Sequence, residues 1–290
     1  MENQSYGRRM WSIWSPLVIK YAIATVVTSV VLFFFTGAGM MQQGKSGEIT
    51  KLMEEPDHMA ELMQAASERL MNYAVLLEGA AALVTIPVML FFMNRDKKKL
   101  KKELMMKGRA PLWKYPAIVV ISSAMCLALN NLILLSKLSS YSESYDETIQ
   151  MLYQPSFAVQ LICLGVLMPV CEELTYRGLM YRRMRKDMSF LNAALYSSLI
   201  FAVTHGNLVQ MLYGFSMGMM LGLVYEKYGS VLAPVCAHVT ANVVSVIGTQ
   251  YQWFDWIFGD VVRVGAVTVL CAAAASTVYI MMQRMNSKFP

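Results

Sequence analysis

Apolar runs of about twenty residues recur along the chain, separated by short clusters of charge. A run of that length forms a helix that crosses the roughly 30 Å hydrocarbon layer of a bilayer. Eight stretches fit: 17–37, 74–93, 116–135, 156–177, 192–205, 209–225, 231–248 and 264–282, the fifth of them short. The pattern predicts an all-α, polytopic membrane protein of about eight transmembrane helices. With no internal repeat and no low-complexity linker, residues 1–290 read as a single integral membrane domain. Between the first two runs, Met53, Met59, Leu62, Met63 and Leu70 recur at partly helical spacing. That predicts an amphipathic helix on the membrane surface. Trp253, Phe254, Trp256 and Phe258, just before the last run, suit an interfacial aromatic belt.

Composition agrees. The chain is 56% hydrophobic and only 15% charged, whereas soluble domains are about 45–50% apolar and about 25% charged. The charges also set an orientation. Residues 44–69 carry Glu48, Glu54, Glu55, Asp57, Glu61 and Glu68 against Lys45, Lys51 and Arg69; residues 95–114 are strongly basic, from Arg95 and Lys97 to Lys114. Lysine and arginine stay cytoplasmic. Alternation of eight spans then places Arg182–Lys186, Lys227 and the tail inside, with both termini cytoplasmic. The long lysine run is accounted for by topology, and contact with anionic lipid headgroups would be an addition to that role. The net charge of +6 lies between hydrophobic spans and not on a basic face, so nucleic acid is not an expected partner; membrane lipids are. The five cysteines show no CxxC or CxxxC spacing and read as packing residues. The first run is long and follows Arg8 and Arg9, which predicts a retained span and not a cleaved signal.

Against this background Glu172, Glu173 and Arg177 stand out. Ionisable groups in a bilayer persist mainly where they pair or do chemistry. Glu173 and Arg177 are four apart and share a helical face, so they can pair; Glu172 is about 100° around the helix and free to face a cavity as a general base. Of the three histidines, His58 falls in a charged loop, while His205 and His238 fall in apolar runs. The chain turns near Met188, with Glu172 sixteen residues before it and His205 seventeen after. In an antiparallel hairpin that predicts equal depth, with Glu172 facing His205 and Phe201, one turn before His205, walling the site. His238 and Asn242 are stacked one turn apart, suitable donors to a developing oxyanion. Lys20 and Glu78, near span ends, are expected to reach the interface.

These residues resemble a known family. Glu172-Glu173-x-x-x-Arg177, Phe201-x-x-x-His205 and His238-x-x-x-Asn242 are similar to the three motifs of the CAAX protease and bacteriocin-processing (CPBP, or ABI) intramembrane proteases, within a motif-bearing core over 156–250. The resemblance implies an endopeptidase acting on a peptide or protein substrate at the membrane. By carry-over, Glu172 and His205 would activate water, His238 and Asn242 would stabilise the oxyanion, and Glu173 and Arg177 would support them. Glu172, His205 and His238 could alternatively bind zinc with water in the fourth place, although no HExxH is present; the expectation is that no metal is required. A non-catalytic bacteriocin-immunity or peptide-binding protein of the same fold is the alternative function. No thiol is marked as activated, no GxSxG elbow occurs, and the paired inverted repeats of a transporter are missing.

Overall fold

Backbone in hydrocarbon must satisfy its own hydrogen bonds, which leaves helix as the available form for these apolar runs. The computed structural model describes residues 6–43, 56–99, 108–138 and 142–289, and their regular structure is entirely helical. In chain order these are α1 (Tyr6–Gln43), α2 (Pro56–Met71), α3 (Ala74–Lys99), α4 (Tyr115–Leu135), α5 (Glu143–Tyr153), the irregular α6 (Phe157–Met184), α7 (Phe190–Val203), α8 (Leu208–Tyr228), α9 (Leu232–Gln250), α10 (Trp253–Phe258) and α11 (Val261–Gln283).

Seven of them are long and apolar enough to cross a membrane: α1, α3, α4 with its preceding turn, α6, α8, α9 and α11. The fifth predicted span is the exception. Helix α7 has 14 residues, about 21 Å at 1.5 Å per residue, too short to cross alone. Thr204 and the left-handed Gly206 (φ +83°) end it, a conformation that glycine adopts without steric cost.

One end of the bundle gathers the first turns of α1, the α6–α7 turn and residues 285–289. Arg9 lies 2.7 Å from Asp187, and Arg185 and Ser287 both bind Glu226 near the end of α8, at 2.9 and 2.6 Å. This end holds the basic cluster Arg182–Lys186 and Lys227. Helix α2 forms within the predicted segment, with Ala66 and Leu70 buried one turn apart and Met63 and Met71 exposed. Met53 and the charges of 44–55 and 100–107 lie outside the described residues. Trp253 and Trp256 of α10 are exposed, as an interfacial belt would be.

Two features place the site. Helix α6 alternates in form: π-helical turns at Gln160–Leu167 and Leu174–Tyr181 flank α-helical Met168–Glu173. Pro169 has no N–H to give to Gly165 four residues back or to Leu164 five back, and Asn242 of α9 donates to the Leu164 carbonyl instead, at 2.9 Å. Such π-turns often mark functional positions. The second feature is a core cluster of Leu17, Tyr176, Met180, Ala194, Phe201 and Tyr225, which binds α1, α6, α7 and α8 together. Gly218 of α8 allows that approach. A Cβ there would lie 2.8 Å from Ser198 Cβ and 3.1 Å from Arg177 Nη2. Gly218→Ala is therefore expected to cost about 1–3 kcal/mol by overpacking, read as a lower midpoint of thermal unfolding in detergent.

Candidate active site

The site is built outward from a buried ion pair. Glu173 and Arg177, both fully buried on α6, meet at 2.9 Å. Arg177 Nη2 donates to the Gly218 carbonyl at 3.1 Å, and the guanidinium lies 4.7 Å over the Phe201 ring. The same Glu173 oxygen that receives Arg177 lies 2.9 Å from His238 Nδ1 on α9. A carboxylate oxygen already accepting from Arg177 accepts again here, so Nδ1 carries the proton. His238 consequently presents Nε2 to the site, 3.9 Å from Glu172 Oε2. Helical spacing showed only half of Glu173's part. It binds Arg177, and it also orients His238, a contact that requires the packing of α9 against α6.

Glu172, one residue earlier, lies on a different side. Its side chain is 15% exposed and its Oε1 is 3.4 Å from Lys20 Nζ. Lys20 does not reach an interface, contrary to the sequence expectation. Its ammonium sits 5.6 Å over the Tyr176 ring and is as buried as its partner. An intramembrane lysine needs an anion, and Glu172 supplies one across 152 positions of sequence. Glu78, itself exposed, also lines this place. With Lys20, Glu172 and the small Ala24, Ala81 and Thr85 it lines a shallow open cleft between α1, α3 and α6.

His205 is not inside a helix. It occupies the turn beyond α7, and its Nδ1 lies 2.8 Å from the Phe201 carbonyl, one of the last-turn acceptors that a helix end leaves open. A carbonyl only accepts, so Nδ1 is again the protonated nitrogen and Nε2 is left free. The α6–α7 register is fixed by Tyr176, whose ring packs 5.1 Å from Phe201 and whose hydroxyl bonds Thr204 at 2.9 Å. Four residues further along each arm of the hairpin come Glu172 and His205. Phe201 lies against both imidazoles, 4.7 Å from His205 and 5.7 Å from His238, edge to face.

Asn242 is one turn beyond His238, but one of its amide hydrogens is committed to Leu164. It holds the π-turn of α6 against α9 and keeps its second N–H. Glu172, Glu173, Arg177, Phe201, His205 and His238 thus form one connected group, with Asn242 at its edge. Cys171 is buried beside it, and all five cysteines are unpaired.

Zinc would need three of these side chains directed at one point. Among the described residues no three His, Cys, Asp or Glu side chains are so grouped, and the ammonium of Lys20 against Glu172 would repel a dication. The donor set as arranged does not fit the ion.

Residues 154–244 match the family described as Type II CAAX prenyl endopeptidase Rce1-like. Over 89 residues, 31% of its length, the chain is 27% identical to the protein of Bacillus subtilis (strain 168) named "Putative membrane peptidase YdiL". The chain spans about a third of that relative's length, 36%. No solved structure matches it. The matched segment holds every member of the connected group and Asn242, whereas Lys20 and Glu78 fall outside it. The match over residues 154–244, which hold this carboxylate–histidine centre, supports a likeness to the CPBP family through that segment.

Proposed function

We propose that the chain is an intramembrane endopeptidase in which Glu172 activates water for attack on a peptide carbonyl. The observation that carries this reading is the 3.9 Å gap between Glu172 Oε2 and His238 Nε2. A water in contact with both atoms would sit between a carboxylate base and an imidazole nitrogen. Glu172 takes a proton as the water oxygen bonds to the carbonyl carbon. The oxyanion that forms is met by the second N–H of Asn242 and, when His238 carries a proton on both nitrogens, by Nε2–H. Collapse breaks the C–N bond, and the proton passes from Glu172 to the departing amine, with His205 Nε2 opposite as the relay. Glu173 and Arg177 are positioning residues, since they act through His238. No step is routed through a metal.

Lys20 enters this mechanism as an anchor: it ties Glu172 Oε1 and leaves Oε2 for the water. A charge-assisted hydrogen bond is worth about 1.5–3 kcal/mol. Lys20→Met should accordingly lower kcat by about ten- to a hundredfold with little change in KM, and Lys20→Arg should retain most of the rate.

The test uses the purified full chain in lipid nanodiscs with a library of membrane-anchored peptides, and new termini are read by mass spectrometry. Cleavage by the wild type that Glu172→Ala abolishes supports the reading. Wild type that binds peptides without cutting them, or Glu172→Ala that cuts as well as wild type, contradicts it. Prior treatment with a strong zinc chelator, followed by its removal, should leave the cleavage rate unchanged.

A further inference from the structure

We infer that Arg182, with Lys97 and Arg109, forms a binding site for a phosphate-bearing anion at the basic end of the bundle. This inference is independent of the peptidase reading.

The neighbouring arginines all have carboxylates. Arg177 binds Glu173 at 2.9 Å, Arg183 binds Asp96 at 2.7 Å, Arg185 binds Glu226 at 2.9 Å, and Arg9 binds Asp187 at 2.7 Å. Arg182 differs. It is 6% exposed, its Nε has no hydrogen-bond partner, and among the described residues no carboxylate pairs with it. Taking an ionic group out of water without a counter-charge is strongly unfavourable.

What faces Arg182 is more positive charge. Helices α3 and α6 run parallel and in register: Gly79 packs on Cys163, and further along Gly178 packs on Met93. The next turn of each helix carries Lys97 and Arg182, and the Arg183–Asp96 bond between the adjacent residues confirms that alignment. The third cation comes from the segment before α4. Ala110 N donates to the Tyr228 carbonyl at 2.8 Å, which sets Arg109 beside the end of α8. Tyr225, one turn before Tyr228 on α8, packs 5.7 Å from Tyr181, the residue before Arg182, so the segment that carries Arg109 approaches the same end of α6. Lys97 and Arg109 are exposed at its rim, while Arg182 is buried beneath them.

A guanidinium with free N–H groups under two exposed cations fits the oxygens of a phosphate, which Arg binds as a planar fork. The site lies where the membrane-length stretches of α3 and α6 both end, at Lys98 and Met184. That is the level of lipid headgroups. The same chemistry would also accept a free phosphate.

The experiment follows thermal unfolding of the full-length protein, delipidated in neutral detergent. Four titrants are compared: phosphatidylglycerol, phosphatidylcholine, inorganic phosphate and, at matched ionic strength, chloride. The expected result is a saturable rise in Tm with phosphatidylglycerol beyond that with chloride. The apparent affinity should fall about tenfold or more in Arg182→Gln. A response to phosphatidylglycerol without one to inorganic phosphate identifies a headgroup; a response to both identifies a general phosphate site, and either supports the assignment. Because Arg182→Gln can fail to fold, the exposed pair Lys97→Gln/Arg109→Gln is measured in parallel and should weaken the response likewise. The assignment is overturned if no phosphate-bearing titrant exceeds chloride, or if the paired variant responds as wild type does.

Discussion

Glu172→Gln should reduce peptide hydrolysis by roughly a thousandfold, within the 10²–10⁴ that a positioned general base contributes, and leave the protein folded. The amide has the shape of the carboxylate and can still accept from Lys20 at Oε1, 3.4 Å away, but it cannot take a proton from water. The effect belongs in kcat, because substrate contacts are untouched. The side chain lines an open cleft and is not sealed in the core, so thermal unfolding should shift little. Steady-state kinetics with a cleaved peptide, together with an unfolding curve on the same preparation, separate the two quantities. Retained activity within threefold of wild type would remove Glu172 from the role of base.

Arg177→Met should act in the opposite manner, chiefly on the fold. Arg177 and Glu173 are both fully buried, and deleting one partner of a buried ion pair costs about 3–5 kcal/mol because the other charge is left uncompensated. The Gly218 carbonyl loses its donor as well. Activity falls with stability, since Glu173 also fixes the tautomer of His238. The double variant Glu173→Gln/Arg177→Met removes both charges and should recover part of the lost stability without recovering the rate. That split, measured by unfolding and by hydrolysis, separates the structural from the positioning part of the pair. Arg177→Lys should not substitute fully, because one ammonium cannot reproduce the fork that reaches both Glu173 and Gly218.

Much of this arrangement was legible in the chain, for physical reasons. Membrane helices announce themselves by length and apolar content, since the bilayer permits little else. The Glu173–Arg177 pair follows from helical spacing alone. Distances to the Met188 turn predict Glu172 opposite His205, and the Tyr176–Phe201 contact has the α6–α7 register that this prediction uses. Contacts between elements distant in sequence were not legible. Lys20 lies 152 positions from Glu172, and no periodicity links them; the one available signal was the cost of an intramembrane lysine without a partner. The link from Glu173 to His238 required the rotation of α9, which sequence spacing leaves free.

Two local features had readable signals that spacing passed over. Gly206 directly after His205 marks a helix end, so the fifth span stops at Val203 and leaves His205 in a turn. Pro169 in the middle of α6 removes an N–H, and this explains why the amide of Asn242 is partly committed to Leu164 and is only partly available to an oxyanion.

The most direct test of the central claim maps new carboxyl termini in membrane fractions of cells making either the wild-type chain or Glu172→Gln at equal levels. A set of termini present with wild type and missing with the variant is the predicted result, and identical sets in the two strains would contradict it.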